Sequence, residues 1–445
     1  MKVMRARVRA VVVGWVLPAI ALNACGGGDA KGEAGDSPAR VELASSKLPR
    51  AQPAAPEDDL RAVAAATNAF AVDAYRHWTK QNANLVFSPY SIALALAMTE
   101  AGAKGETADE LRRALHLTLA EDRVHDALNA LDQQITQSSS PARGTKPPEI
   151  AVANSLWGQA GYPFRSPFLD LIARDYGAGL RLVDYRRDPE GARAAINAWA
   201  EEATNGRIKD VIPANVINDR TRLVLVNAIY FKAQWMREFS PRDTREAGFR
   251  ALDGRTVRVP MMSQNGLKFL YGSGEGYQVA ELPYWGGYSM ALVLPAEGTF
   301  GDFENALTPT RLNAILSGLN QAQLDLKLPK FEFAADASLK ETLAALGVKA
   351  AFEAPDGDSG ADFTGITEVR ELVLRDVLHK AFISVDEHGT EAAAATAAVV
   401  EAVSGAPPAV MHLDRPFLFV IRHQASGTIL FMGRVTDPTS PEGPR

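Results

Sequence analysis

Residues Asp386–Gly405 read DEHGTEAAAATAAVVEAVSG. Between Ala392 and Ala398 every residue is alanine except Thr396, an acidic residue stands near each end, and the apolar segment RPFLFVI follows at 415–421. Laid out as a strand, successive side chains point to opposite faces. One face then presents Thr390, Ala392, Ala394, Thr396, Ala398, Val400 and Ala402, all small or apolar. The other carries Ala393, Ala395, Ala397, Val399 and Val403 together with Glu391 and Glu401, so both charges fall where water can reach them. An alanine-rich helix or spacer accounts for the same composition. The flanking chain must therefore decide between a spacer and a strand waiting for a sheet.

Upstream, LVLRDVLHKAFISVDEHG reads as strand-like chain, and LVLVNAIYFKAQW at 223–235 is a continuous apolar run. An unbroken run suits a strand covered on both faces. Asn227 lies inside it, and a buried amide must find hydrogen-bond partners or cost a few kcal/mol. Near the start of the chain, Leu85–Phe87 reads as a short strand, Ser88 as a helix cap and Pro89 as a first helical residue. The following helix is apolar nearly all round, which implies burial. Leu60, Val63, Ala64, Thr67, Phe70 and Ala74 recur at helical spacing, GARAAINAWAEEA reads as a helix ending at Asn205-Gly206, and ASLKETLAALGV as one stopped by Gly347. Helices come mostly early and strands mostly late, which points to an α+β class with large, mostly antiparallel sheets.

The 445 residues are 47% hydrophobic and 22% charged, an ordinary globular balance. The one clear shift in composition lies near the N-terminus. Lys2, Arg5, Arg7 and Arg9 precede the apolar stretch Val11–Leu22, which is short for a membrane span, so residues 1–24 read as an export signal. Next comes LNAC, where a small residue before Cys25, the chain's only cysteine, resembles the bacterial lipobox; Asn23 is an unusual occupant of that motif. The resemblance implies lipidation at Cys25 and attachment to a membrane, on the periplasmic or cell-surface face. The alternative is an ordinary secretory signal with an incidental cysteine. Residues 25–59 contain no aromatic residue and are rich in Gly, Pro, Ala, Ser and charge, so they read as a flexible tether spanning on the order of 30 Å. Removing residues 1–24 takes away four basic groups and no acidic ones, which deepens the formal charge from −6 to −10. That acidity argues against nucleic acid as a partner.

Several chemistries have no residues to carry them. One cysteine in the signal region leaves no intramolecular disulfide, no cysteine nucleophile in the domain and no thiolate metal site. The seven histidines form no HExxH, and no P-loop or GxGxxG occurs, so neither a metal nor a cofactor is expected. GGYSMA around Ser289 approaches a nucleophile elbow, but Ala291 replaces its final glycine. Arg112-Arg113 reads as a solvated helix face. The chain is expected not to be an enzyme, with a secreted hydrolase using Ser289 as the weak alternative.

Residues 60–440 resemble the serpin family. The resemblance rests on VFSPYSIALALAMTEAGAKGETADEL (86–111), LVLVNAIYFKAQW (223–235), LPKFEF (328–333), DFTGIT (362–367), VLHKAFISVDEHGTEAAAATAA (377–398), DRPFLFVI (414–421) and FMGRV (431–435), in the family's order. It implies about three mostly antiparallel sheets, roughly eight or nine helices and an exposed C-terminal reactive loop, here about 387–410, that inserts into the central sheet when a protease cuts it. It also implies a hinge of Glu387, Gly389, Thr390, Glu391, Ala392, Ala393, Ala394 and Ala395, in which the small Thr390 and the alanines after it mark inhibitory members. The family's spacing from Glu387 puts the reactive bond at Val403-Ser404, with Ala402 and Val400 as alternative registers. Small or branched apolar residues there suit an elastase-like serine protease; no Arg or Lys lies between Asp386 and Arg415, which argues against trypsin-like targets, and cysteine proteases are a weaker candidate. Ser88, Ser91, Asn227 and His379 match the family's polar cluster beneath the opening sheet, and Trp235 the tryptophan where insertion begins. The expectation is an exported monomeric suicide inhibitor, with a non-inhibitory binding or chaperone-like serpin as the alternative.

Overall fold

The strand Leu223–Gln234 is the spine of the architecture, buried at every position except the half-buried Lys232. The computed structural model describes residues 41–80, 82–137, 148–357, 359–390 and 407–441. Within it, this strand sits at the centre of a seven-stranded sheet. The strand order is Glu42–Ala44, Leu180–Val183, Glu149–Gln159, Leu223–Gln234, Gly389–Thr390, Val377–Val385, Phe331–Ser338. Its neighbours run antiparallel except at two contacts. Glu149–Gln159 pairs parallel with Leu180–Val183, and Leu223–Gln234 pairs parallel with Val377–Val385.

Both faces of the spine are covered, as its unbroken apolar run requires. Val224, Val226 and Ala228 join a cluster with Trp157, Ile196 and Leu378 under the helix Pro189–Ala203. Asn227 points to the opposite face, where its amide meets the helix Pro89–Glu100. All twelve residues of that helix are buried; Ser88, in extended backbone, accepts from the Ser91 N–H, and Pro89 takes the first turn. The cap and the apolar periphery act together: the helix can lie inside the protein because its N-terminal donors are satisfied before it enters.

A second, nine-stranded sheet forms the rest of the body. Its strand Thr256–Gly274 runs nineteen residues and pairs with Arg245–Arg250, Tyr277–Pro283 and Asn320–Pro329. Gly266 bends it, in the left-handed region at φ 67°, beside a register shift between Leu324 and Leu326. This one bent strand joins the two smaller sheets expected beside the central one into a single hydrogen-bonded path. With nine α-helices among the described residues, the fold is of the expected α+β class.

Two expectations change. The tether reading of 25–59 does not hold from residue 41 onward, since Glu42–Ala44 adds antiparallel to the sheet edge at Leu180–Val183. Arg50 then donates to Asn129 at 2.8 Å and to Asp132 at 2.5 Å, and the Ala51 N–H to the Arg174 carbonyl at 2.7 Å. A sheet edge accepts any backbone, so a segment too polar to fold alone can still be strapped to one. The first helix accordingly starts at Glu57 and ends at Trp78. Nor is Arg112 solvated like its exposed neighbour Arg113: it is half-buried and donates to the buried Glu100 at 3.0 Å.

Candidate functional site at the parting of two parallel strands

Leu223–Gln234 and Val377–Val385 lie side by side only over part of their length. From Leu225–Val377 to Ile229–Ala381 they pair directly, which puts Asn227 opposite His379. On its other side Asn227 stands opposite Asn154 in Glu149–Gln159. A polar cluster forms around that amide. Ser88 donates its backbone N–H to His379 Nε2 at 3.2 Å, so Nδ1 carries the proton and donates to Asn227 Oδ1. Asn227 Nδ2 donates to Ser91 Oγ at 2.6 Å, Ser91 Oγ to Asn154 Oδ1 at 3.0 Å, and Asn154 Nδ2 back to the Ser91 carbonyl at 3.0 Å.

Ser88, Ser91 and Asn227 have no exposed surface and His379 has 2%. Burial pushes the His379 pKa down to about 3, so the ring is neutral and the single tautomer is held. The four expected residues therefore come together, and the partners demanded by a buried Asn227 are present. Asn154 is the member that sequence reasoning missed. Its signal was the same one: an amide between the apolar residues of the strand segment EIAVANSLWGQ.

Chemically the cluster is a latch. Separating the two strands breaks the His379–Asn227 bond and leaves buried donors unsatisfied, at about 1–3 kcal/mol for each group. Breaking these bonds moves no proton and creates no charge.

Beyond Ala381 the strands are parted by Gly389–Thr390, which runs antiparallel to both. Gly389 pairs with Gln234, and Thr390 with Ala233 on one side and Val385 on the other. Gly389 has φ 151°, and a Cβ there would lie 2.1 Å from the Ala233 carbonyl oxygen, so only glycine enters this closely. Thr390 is 1% exposed, its hydroxyl 2.7 Å from that of Tyr284. Tyr284 stacks on Trp235 at 4.1 Å and 10°. Trp235 in turn donates its indole N–H to the Asp386 carbonyl at 3.0 Å and its backbone N–H to the His388 carbonyl at 2.9 Å.

Glu387 closes this end. Burial alone would raise its carboxyl, but hydrogen bonds from Lys330 Nζ and Thr244 Oγ1, both 2.8 Å, outweigh that and hold it below its usual range. Asp386 Oδ1 accepts from the His388 and Gly389 N–H groups and so turns the chain from Val385 back toward the gap. Glu387, Gly389, Thr390 and Trp235 thus converge as expected. Tyr284, Thr244 and Lys330 were missed, although Lys330 stands inside the LPKFEF motif. Glu391, Ala392, Ala393, Ala394, Ala395, Val403, Ser404 and Cys25 lie outside the described residues. After them the strand Ala409–His412 pairs parallel with Asn320–Pro329 at the edge of the nine-stranded sheet.

Ser289 belongs to neither end. It is fully buried and donates to Glu281, whose carboxylate is also held by Arg422 at 2.8 and 2.6 Å. A hydroxyl spent on a buried ion pair offers no nucleophile to a substrate. Among the described residues no group of three or more His, Cys, Asp or Glu is placed to hold a metal ion.

Comparison with known proteins gives this geometry its context. Residues 65–438 match the family model described as Serpin (serine protease inhibitor). The chain is 40% identical over 388 residues to an uncharacterized serpin-like protein of Thermococcus kodakarensis, covering 86% of this chain and 87% of that one. It is 37% identical to the leukocyte elastase inhibitor of Bos taurus, covering 84% and 99% respectively. Among solved structures, the native state of the thermophilic serpin tengpin superposes with a TM-score of 0.76 at 27% identity, covering 87% of this chain and 97% of tengpin.

Proposed function

We propose that this chain, which belongs to the serpin family, is a suicide-substrate inhibitor of extracellular serine proteases. The observation that carries the proposal is the seat of Gly389–Thr390 between two strands that are otherwise parallel neighbours. A strand entering antiparallel there gains hydrogen bonds on both edges, and where it passes Ile229 to Leu225 it replaces the parallel pairing with antiparallel pairing on each side. The residues available to follow Thr390 are Glu391 and then the alanine run, small enough to pass between the strands.

In this reading the serine of the target protease attacks the carbonyl carbon of Val403. The bond to the Ser404 nitrogen breaks, the leaving amine takes a proton, and an ester joins Val403 to the enzyme. Release of the Ser404 end frees the segment from Thr390 to Val403 to zip into the gap, carrying the acylated protease with it before water hydrolyses the ester. The latch at Asn227 and His379 must part for the strand to pass, which sets the timing of insertion. The protein is consumed in one event and turns nothing over.

An elastase-like target is supported by Val400, Ala402 and Val403 and by the name of the bovine relative, a leukocyte elastase inhibitor. Export, attachment through a lipid on Cys25 and a monomeric state complete the reading, supported by the charge and apolar pattern of residues 1–25 and by an inhibitory event that needs one copy only. The test is to mix the purified chain with pancreatic elastase and separate the products on a denaturing gel. A band at the summed mass, with its new terminus at Ser404, is expected. Clean cleavage without that band would leave a non-inhibitory serpin and sink the proposal.

A further inference from the structure

Each sheet ends on a strand with a free edge, and two of these ends come together. Leu85–Phe87 is the last strand of the nine-stranded sheet and Phe331–Ser338 the last of the seven-stranded one. Between them lies a cavity of about 440 Å³, bounded also by the end of the helix Glu57–Trp78 and by the helix Lys340–Ala345. Small-molecule sites typically hold about 300–1,000 Å³. One wall is apolar: the rings of Trp78 and Phe87 meet edge to face at 4.8 Å, with Leu85 and Val86 beside them, all buried.

Polar groups line the rest, and they differ in their partners. Asp336 is taken up by Lys380 at 3.2 Å, and Ser338 donates to Asp376 at 2.8 Å. The side chains of His77, Lys80, Glu341 and Thr342 make no hydrogen bond or ion pair among the described residues. Thr342 is 1% exposed, and its hydroxyl is buried without a partner. A helical threonine hydroxyl commonly returns to the carbonyl one turn back, as Thr67 does to Val63 and Thr99 to Ala95. Thr342 makes no such return and lines the cavity instead, where a buried hydroxyl calls for a partner.

Lys80 and Glu341 are opposite charges on two different elements. Burial lowers the pKa of His77; beyond that Lys80 lowers it and Glu341 raises it, so both charges face the same ring. They nevertheless form no ion pair with each other. An anion alone would satisfy Lys80 and be repelled by Glu341, and a cation alone would meet the reverse. A zwitterion with an apolar substituent answers both charges and covers the apolar wall.

We propose that this cavity binds an apolar α-amino acid, its ammonium on Glu341 and Thr342, its carboxylate on Lys80 and His77, and its side chain against Trp78, Val86 and Phe87. The site shares no residue with the latch or with the entry at Gly389–Thr390.

Titration calorimetry of the full chain with L-phenylalanine tests it. Saturable one-to-one binding is expected. 3-Phenylpropionate lacks the ammonium and 2-phenylethylamine the carboxylate, so each should bind about tenfold more weakly or worse. Glu341→Gln and Lys80→Gln, at exposed positions that do not threaten folding, should each weaken L-phenylalanine by a similar factor. Glu341→Gln should in addition bind 3-phenylpropionate as well as L-phenylalanine, a loss of discrimination that a merely structural role would not produce. Thr342→Val keeps the shape and removes the hydroxyl; binding should weaken severalfold with the urea midpoint preserved. The proposal is overturned by absence of L-phenylalanine binding up to millimolar concentration, by equal binding of either singly charged analogue to the parent chain, or by unchanged affinity in Glu341→Gln or Lys80→Gln. Because calorimetry reads binding without protease, failure of the inhibitor reading leaves this result intact, and the reverse.

Discussion

Leu223–Gln234 and Val377–Val385 meet in two ways, and each is held by different physics. At the closed end they pair directly, and a neutral network of short side chains, His379, Asn227, Ser91 and Asn154, holds them from below. At the parted end they are separated by Gly389–Thr390, held by aromatic stacking on Trp235 and Tyr284 and by the ion pair of Glu387 with Lys330. The closed end consists of small bonds that can be exchanged one for another. The parted end consists of large rigid surfaces that fix where a strand enters. Under the proposed mechanism the difference makes entry a fixed place and leaves the advance of the strand to how readily the latch opens.

The largest effect should come from spoiling the entry itself. Thr390 is 1% exposed, and an arginine there would bury a charge, a cost of several kcal/mol. Thr390→Arg should leave the hinge outside and turn the proposed inhibitor into a plain substrate. The covalent band should disappear from a denaturing gel while cleavage persists, and a band of undiminished intensity would count against insertion at this gap.

Next comes the latch. Asn227→Ala removes the node that receives from His379 and donates to Ser91, stranding both among fully buried neighbours. A loss of about 2–4 kcal/mol is expected, read as a lower urea midpoint with an unchanged slope. A shift under 1 kcal/mol would mean that water enters and replaces the network.

Acidification should loosen the latch in a milder and graded way. The folded pKa of His379 lies at about 3, below the value near 6.5 of the unfolded chain, so the unfolded state binds more protons between these limits. Stability due to this residue is therefore complete above pH 6.5 and is lost as pH falls toward 3. His125 and His423, each held down to about 4 by burial, act in the same direction. Glu100 and Glu304, whose carboxyls are raised by burial, act in the opposite one. The clean measurement is the difference between parent and His379→Gln. Parent stability should fall relative to the variant by roughly 1–2 kcal/mol on going from pH 7 to pH 5, and parallel profiles would show that the ring titrates normally.

The smallest effect belongs to the hinge ion pair. Lys330 is 37% exposed at its side chain and screened by solvent, so Lys330→Met should cost only about 1 kcal/mol, visible as a small fall in melting temperature. A larger loss would make Glu387 a structural keystone and shift weight from the aromatic stack to the ion pair.

Much of this contrast was legible beforehand, and unevenly. The closed end could be read because a polar residue in an apolar strand advertises its need for partners, as Asn227 does. Asn154 sent the same signal from a strand that no quoted motif covered. At the parted end Gly389 and Thr390 stood out by size, but Tyr284 and Thr244 are ordinary residues whose roles come from neighbours 106 and 143 positions away in the chain. The strap was misread as tether from residue 41 on because composition reports what a segment can bury by itself. It does not report that a sheet edge at Leu180–Val183 offers hydrogen bonds to any backbone that reaches it.

By itself the order of residues determined the spine strand Leu223–Gln234, the buried helix capped by Ser88 and Pro89, and that the alanine run carries small side chains on the face an inserting strand would bury. Those properties are local: they follow from periodicity, capping and side-chain size within a few residues. Only the tertiary structure decided that two parallel strands close over Asn227 and His379 yet part around Thr390, and that the ends of two sheets enclose a cavity at Thr342. Such outcomes depend on which distant backbones share hydrogen bonds, and no local pattern encodes the partner across a sheet.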